Sequence, residues 1–157
     1  MKKSILLILV STLMLITSCD LLNCTETDVS ALRIELCDIN GNPTTLSDTL
    51  TVRACGTEMI LLNRSTNTKE ILLPLSYHAP VDTFILLHYG KNYAQEDSLF
   101  VSKTNNVYFE SPDCPTVMMH TLQSAECHTA EFIASVSLED QKVNFEEKTH
   151  IRLFIKQ

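Results

Sequence analysis

The sequence predicts an all-β fold, a single immunoglobulin-like β-sandwich of about eight or nine short strands. One observation behind this prediction is the alternation of apolar and polar residues, as at Leu32, Ile34 and Leu36, which is typical of half-buried strands. Another is the dense turn signal between such segments, as in Asn40–Pro43. No segment beyond the N-terminus repeats apolar residues at the helical period. Many short strands separated by turns favour a sandwich over an open barrel.

Each predicted strand has its own sequence pattern. Apolar residues alternate in the first two strands and in the last one, whereas residues 83–89 are apolar on both faces and suit a covered strand. Segments 98–103 and 107–110 are predicted to form a hairpin that turns at Asn105-Asn106. The C-terminal strand must be pinned by a sheet, because terminal strands otherwise fray. In chain order, the predicted strands are 31–37, 50–55, 59–62, 71–75, 83–89, 98–103, 107–110, 130–138 and 151–155.

The chain begins with an export signal. Lys2 and Lys3 precede an apolar run that is short for a stable bilayer span and that closes on Ile16-Thr-Ser-Cys19. The closing tetrapeptide resembles the bacterial lipobox, which implies that Cys19 is diacylated on sulfur and becomes the first residue of the mature protein. Cleavage after Ser18 by ordinary signal peptidase is the alternative, and it would leave a soluble secreted protein. The predicted division is a lipoprotein signal peptide (1–18), a short tether (19–30) and a β-sandwich domain (31–157).

The predicted mature chain is acidic. Residues 1–18 contain two lysines and no acid, so the 12 basic and 19 acidic residues of the sequence become 10 and 19, a net charge of −9. Such a domain repels phosphate backbones and anionic headgroups, so nucleic acid is not a predicted partner. Contact with a membrane is therefore predicted to depend on the acyl chains and not on a basic patch.

The five cysteines besides Cys19 are predicted to be structural. Export places them in an oxidising compartment, where spaced cysteines pair, and no Cys-x-x-Cys or Cys-x-x-His spacing for a metal occurs. An odd number leaves one thiol over, or one intermolecular bond. The pairing of Cys37, Cys55 and Cys127 stays open. In a plain hairpin of strands 31–37 and 50–55, Cys37 and Cys55 would lie roughly 17 Å apart, too far for a direct bond.

A set of short motifs extends over nearly all of the mature chain. It comprises a cysteine soon after Cys19, which is Cys24, and the segments Ala31–Leu36, Ile71–Leu75, Phe84–Gly90, Val107–Cys114 and Glu147–Phe154. Together the motifs resemble a family of small Bacteroidota lipoproteins whose domain has no known function. The resemblance implies a β-rich lipoprotein with an accessory role beside an outer-membrane β-barrel. The family has a glycine after the later cysteine, where this chain has Pro115, so the turn at this point is left open.

The resemblance also implies a disulfide bond between Cys24 and Cys114. Such a bond would close a long loop, which is worth about 4–5 kcal/mol on the chain-entropy account. It would also fix the domain five residues from Cys19. Five extended residues reach at most roughly 17 Å, so the domain is predicted to lie close against the membrane.

No catalytic or ligand-binding signature is present, so we predict a chain that is not an enzyme and needs no cofactor or metal. Cys127 with His88 or His150 has the residue types of a nucleophilic pair but no local sequence signature of one. The acids Glu96-Asp97 and Glu146-Glu147 point to opposite faces of a strand and are predicted to be solvated. Soft ligands suited to copper(I) are interpreted instead as core methionines, surface histidines and oxidised thiols. They are Cys114, Met118, Met119, His120, Cys127 and His128.

Two tripeptides resemble the acidic–hydroxyl–aliphatic acceptor for bacterial O-glycosylation. They are Asp48-Thr49-Leu50 and Asp97-Ser98-Leu99, which make Thr49 and Ser98 candidate glycosylation sites. Such tripeptides arise readily by chance. Both hydroxyls are predicted to lie at junctions between loops and strands.

The leading prediction is a non-enzymatic, lipid-anchored lipoprotein of the cell envelope, at the outer membrane and facing the periplasm. Acyl chains would hold it at the membrane, and a sheet edge or a loop end would dock an envelope protein such as an outer-membrane barrel. The alternative is a lipoprotein that binds a small ligand, either a glycan or a metal. An apolar patch would favour the protein partner, an aromatic-lined groove a glycan, and a deep polar cleft an enzyme.

Overall fold

Ten β-strands and no helix occur in the described part of the chain. The computed structural model describes Cys24, residues 30–112 and residues 114–156. The predicted signal peptide, Cys19 and all of the tether except Cys24 and Ser30 lie outside the described residues. The prediction of an all-β sandwich is confirmed, with ten strands instead of eight or nine. The strands are β1 (Ala31–Cys37), β2 (Thr49–Ala54), β3 (Ile60–Ser65), β4 (Glu70–Pro74), β5 (Val81–Tyr89), β6 (Ala94–Tyr108), β7 (Val117–His128), β8 (Ile133–Leu138), β9 (Lys142–Val143) and β10 (Ile151–Ile155).

The strands form two sheets. One sheet has four strands in the order β4-β1-β10-β8, and the other has six in the order β3-β2-β5-β6-β7-β9. β1 and β10 run parallel, whereas the other paired strands run antiparallel. The C-terminal strand β10 lies between β1 and β8, so a sheet pins it on both sides as predicted.

The core follows the predicted alternation. In β1, Leu32, Ile34 and Leu36 are buried, while the residues between them are partly exposed. Burial of one such side chain stabilises the fold by about 1.5–3 kcal/mol. The core side chains contributed by the six-stranded sheet include Leu50, Val52, Phe84, Leu86, Leu99, Val101 and Leu122.

β6 is longer than predicted. It runs from Ala94 to Tyr108 without a turn, so the predicted hairpin at Asn105-Asn106 is wrong. Both asparagines pair with β7, and their side-chain amides bond to neighbouring residues. The chain reverses only between Tyr108 and Val117, which are the last pair of the β6–β7 ladder.

β8 is shorter than predicted, because it begins at Ile133 and not near residue 130. Thr129 and Ala130 have φ angles of 76° and 47°, a left-handed conformation that a regular strand does not contain. The fully buried carboxylate of Asp97 accepts hydrogen bonds from the backbone N–H groups of residues 131–133. This carboxylate therefore satisfies the backbone N–H groups of the segment that leads into β8.

The two ends of the sandwich carry different loops. We call the end at which β1 begins the proximal end and the opposite one the distal end. β1 and β2 belong to different sheets and are connected across the distal end, so they do not form a hairpin. The proximal end contains the turn 55–59, the loop 75–80, the segment 139–150 and the hairpin tip, which we define as residues 107–112 and 114–117. The distal end contains the connections 38–48, 66–69, 90–93 and 129–132.

Candidate functional site

Most of the exposed apolar side chains lie at the proximal end. Ten large apolar side chains are exposed in the described part of the chain, and six of them are at this end. Clusters of exposed apolar side chains mark binding surfaces in proteins. The six are Met59, Ile60, Tyr77, Val81, Val107 and Phe109.

A groove of about 530 Å³ opens at the proximal end between the turn 55–59 and the loop 75–80. Gly56 has a φ angle of 74°, which lets the chain turn tightly at the rim of the groove. A hydrogen bond from Ala54 N to Met59 O (3.1 Å) closes the turn, and one from Cys55 N to Thr83 O (2.8 Å) joins it to β5. A concave, mainly apolar surface of this volume is typical of a binding site. Its apolar side chains include Met59, Leu61, Pro74, Leu75, Val81 and Phe84.

A buried lysine holds the loop 75–80 in place. The side chain of Lys103 in β6 has no exposed surface, and its ammonium donates to the carbonyl oxygens of Ser76 (2.6 Å) and Ala79 (2.8 Å). A third hydrogen bond goes to Asn105 Oδ1 (2.7 Å), and the Asp82 carboxylate lies 3.4 Å from Nζ. A buried ammonium without such partners would be strongly unfavourable. The loop therefore depends on Lys103 for its position.

His120 of β7 completes this polar cluster. Its Nδ1 lies 2.8 Å from Asn105 Oδ1, which already accepts from Lys103, so Nδ1 carries the proton and donates. The Nε2 atom is left buried without a hydrogen-bond partner. Burial, and then the nearby charge of Lys103, lowers the pKa of His120 from its ordinary value of 6.5 to about 4. His120 is therefore neutral at physiological pH, and its ring stacks against exposed Tyr77 of the loop.

The lining of the groove contains one free thiol, that of Cys55, and one carboxylate, that of Asp82, and no histidine. The carboxylate of Asp82 is engaged by Lys103 and by the backbone N–H of Ser76 (3.0 Å). Phe84 is the one aromatic side chain among the residues that line the groove. An apolar lining whose carboxylate is ion-paired with Lys103 is suited to an apolar protein segment. It is less suited to a glycan or to a substrate that needs acid–base chemistry.

The two edge strands of the six-stranded sheet are poorly suited to the addition of a further strand. β3 pairs irregularly, with two register shifts against β2, and its Arg64 has a φ angle of 46°. β9, at the other edge of the same sheet, has only two residues. Irregular and short edge strands discourage pairing with another chain. At this sheet, the loop end is therefore a better candidate for docking than the edge strands β3 and β9.

A second cluster of titratable side chains lies at the distal end. The Tyr93 hydroxyl donates to the Asp48 carboxylate (2.6 Å), which raises the pKa of Tyr93, and buried His88 contacts the Tyr93 ring edge-on. His88 Nδ1 lies 3.2 Å from Gln95 Oε1. A Cβ atom on Gly90 would lie 2.2 Å from the Tyr93 ring, so glycine is needed for this packing. These contacts hold the 90–93 turn against the start of β2, so the cluster has a structural role.

The cysteines divide into one bonded pair and three free thiols. Cys24 and Cys114 form a disulfide with a Cα–Cα distance of 5.7 Å, in agreement with the pairing that the resemblance implies. Cys37 is buried at the distal end, whereas Cys55 is exposed at the proximal end, so these two do not pair. Burial raises the pKa of the Cys37 and Cys127 thiols, which makes them poor nucleophiles at neutral pH.

The soft ligands considered for copper(I) do not come together. His120 and His128 lie at separate points of β7, eight residues apart and therefore roughly 26 Å along an extended strand. Cys114 is bonded to Cys24. In the described residues, no group of three or more His, Cys, Asp or Glu side chains is arranged to hold a metal ion.

The two candidate glycosylation sites have different settings. Thr49 is the first residue of β2 and is partly exposed, as predicted for a junction between a loop and a strand. Ser98 lies inside β6, opposite Ile85 on one side and His128 on the other, so its predicted position at a junction is wrong.

Two buried charges were missed by the sequence analysis. Of the neighbouring acids predicted to be solvated, Glu96 is exposed, but Asp97 is fully buried, and the prediction is wrong for Asp97. A signal was nevertheless present, because Asp97 and Lys103 are in phase with Leu99 and Val101 at the period of two. Their alternation with these apolar residues places both charges on the core face of β6.

A comparison with protein-family models matches residues 49–155 to a family of unknown function, DUF6452. The chain belongs to the DUF6452 family. This confirms the predicted membership in a family of unknown function, and the matched region of the DUF6452 domain runs from β2 to β10 and includes the groove. Comparisons with curated proteins and with solved structures give no match. Among the residues described, no helix has the length and apolar character needed to cross a membrane.

Proposed function

We propose that this DUF6452 chain is a lipid-anchored accessory protein of the cell envelope, and that its proximal groove docks an apolar segment of a membrane-associated protein. Acyl chains on Cys19 hold it at the outer membrane, on the periplasmic side. The domain acts by binding and has no enzymatic activity of its own. The observation that carries the docking proposal is the apolar groove whose wall, the loop 75–80, is held by Lys103.

The position of the groove supports a partner at the membrane. The groove and the Cys24–Cys114 disulfide both belong to the proximal end, and Cys24 is five residues from Cys19. The part of the tether from Cys19 to Cys24 spans at most roughly 17 Å, so the proximal end stays near the bilayer. A loop or turn of an outer-membrane barrel lies within this layer, and anchoring both proteins to one membrane raises their effective concentration.

The charge of the chain indicates the chemistry of the partner. The mature chain has a net charge of −9, and exposed Glu58 lies on the turn that forms one rim of the groove. An apolar segment flanked by basic residues therefore complements this surface. Exposed Met59 and Val81 provide the apolar contacts at the mouth of the groove.

Site-specific photocrosslinking in the native host tests the docking proposal. A photoreactive amino acid replaces Met59 in the full-length chain, and a matched variant carries it at Ile39, which is 70% exposed at the distal end. We expect an adduct from position 59 alone, whose crosslinked peptide belongs to an integral envelope protein and contains an apolar stretch. Adducts of equal yield from both positions, or none from position 59, would contradict docking in the groove.

The same experiment separates the alternative functions. A small mass increase at position 59, without a crosslinked peptide, would favour a small ligand and overturn the protein partner. In the protein with the photoreactive amino acid at position 59, Val81→Asp places a charge in the groove and should abolish the protein adduct. The control Ile39→Asp should leave the adduct unchanged. Both aspartates replace exposed side chains, so a folding defect in only one of them is not expected.

The anchor is tested independently of the groove. Cells supplied with radiolabelled palmitate should label the wild-type chain and not the Cys19→Ala variant. Equal labelling of both variants, or no labelling of the wild type, would contradict lipidation at Cys19. An intact mass of the mature protein would also show any sugar on Thr49 or Ser98.

A further inference from the structure

The hairpin tip carries two of the three most exposed apolar side chains of the proximal end. Val107 is 67% exposed and Phe109 is 57% exposed. They are separated by one residue, so in extended chain their side chains point to the same side. β5 pairs with β6 only as far as Ser102, so the β6–β7 arm continues past the end of β5 by six residues, about 20 Å of strand. The tip is therefore the part of this arm that projects from the sandwich.

The N-terminal chain is fastened to this same arm at two points. Cys24 is bonded to Cys114 within the tip, and the Ser30 hydroxyl donates to the carbonyl oxygen of Met118 at 2.6 Å. Cys24, which is bonded to Cys114, follows Cys19 by only five positions in the sequence. Five extended residues reach at most roughly 17 Å, so an acylated Cys19 lies within roughly 17 Å of the disulfide that joins Cys24 to the tip.

We infer that the hairpin tip is a lipid-contacting surface, in which Val107 and Phe109 enter the interface of a zwitterionic bilayer and stand the sandwich on its proximal end. This inference rests on the proposed lipid anchor and adds the orientation of the domain. The acyl chains are the main attachment to the bilayer. Apolar and aromatic side chains held close to them provide a second, weaker one.

The charge around the tip selects the kind of lipid. No lysine or arginine occurs between Lys103 and Lys142, so the tip has no basic residue to attract anionic headgroups. Glu110 lies within the tip, and Glu146, in the segment 139–150 of the same end, is paired with Lys148. A neutral headgroup layer is therefore the compatible surface, and anionic lipid should weaken the contact.

A single introduced tryptophan tests this orientation, because the sequence contains none of its own. The full-length acylated protein carrying Phe109→Trp is reconstituted in phosphatidylcholine vesicles, with and without brominated acyl chains. The matched control carries Ile39→Trp at the distal end. We expect a blue shift and strong quenching by brominated lipid for Phe109→Trp, and an unshifted, unquenched emission for Ile39→Trp. Added phosphatidylglycerol should reduce the quenching of Phe109→Trp.

The disulfide provides a further control. In the Phe109→Trp protein, the pair Cys24→Ser and Cys114→Ser keeps the anchor but frees the tip, so quenching should fall. If this variant does not fold, the comparison with Ile39→Trp still decides the inference. Protein that floats with the vesicles but shows no difference between the two tryptophans would refute the orientation and leave the anchor intact. Protein that carries no acyl chain and does not float would refute both.

Discussion

Replacing the buried cation, Lys103→Met, should destabilise this fold strongly while preserving the volume of the side chain. The substitution leaves the Asp82 carboxylate beside an apolar group and removes the donor to the carbonyl oxygens of Ser76 and Ala79. Breaking a buried ion pair by removing one partner destabilises a protein by about 3–5 kcal/mol. Natural domains have only about 5–15 kcal/mol in total, so the variant should be close to the limit of folding.

Urea unfolding followed by far-ultraviolet circular dichroism measures the effect, since the chain has no tryptophan to report fluorescence. Lys91→Met is the matched control, because Lys91 is exposed at the distal end, and it should change stability by no more than about 0.5 kcal/mol. A shift of the midpoint at constant m-value would assign the loss to the native state. The double variant Lys103→Met with Asp82→Asn should lose less than the sum of the single variants, because the orphaned carboxylate is gone.

The reasoning would be refuted by a Lys103→Met variant as stable as Lys91→Met. Such a result would mean that the loop carbonyls find water when the ammonium is removed, so that Lys103 does not hold the loop. A large loss in Lys103→Met that Asp82→Asn does not reduce would instead place the cost in the carbonyls alone. Photocrosslinking from Met59 should fail in parallel with the loss of the loop, since this loop forms one wall of the groove.

Four further outcomes are expected. Asp97→Ala should lower the free energy of unfolding by about 3 kcal/mol or more, because three backbone N–H groups lose their acceptor. Folding lowers the pKa of His120 from 6.5 to about 4. The contribution of neutral His120 to the free energy of unfolding is therefore complete above pH 6.5 and is lost as the pH falls towards 4. His120→Gln should therefore make the fall in midpoint between these pH values shallower; an unchanged acid profile would contradict this. Reducing the Cys24–Cys114 bond should cost about 4–5 kcal/mol, measured as a change in urea midpoint with reductant. Truncation after Thr149 should abolish cooperative melting, because it removes the strand β10 from inside a sheet.

The fold could be predicted to a large extent, because alternation along a strand is a local property. Leu32, Ile34 and Leu36 alternate in the sequence and are buried in the structure. The pairing of β1 with the C-terminal strand could not be predicted, since a parallel contact between chain ends leaves no local trace. The turn at Asn105-Asn106 was predicted from a residue type common in turns, but here Asn105 is needed by Lys103 and His120.

The site could not be predicted, because it depends on contacts between distant segments. The groove joins a turn near residue 56 to a loop near residue 79, and only the two sheets bring these together. No motif of a single segment indicates such a surface. In the sequence alone, Met59 begins a predicted strand and Val81 precedes another, and nothing marks either residue as part of a groove.

The two buried charges of β6 follow one physical rule that the sequence can express. At the distal end, Asp97 accepts from backbone N–H groups of the segment that leads into β8, and at the proximal end Lys103 donates to the carbonyl groups of a loop. Buried backbone groups must be paired, so an anion serves N–H groups and a cation serves carbonyl groups. A charge in phase with the apolar residues of a strand is therefore compatible with that strand. It predicts that an irregular segment packs against the strand. The segment presents N–H groups to a buried anion and carbonyl groups to a buried cation.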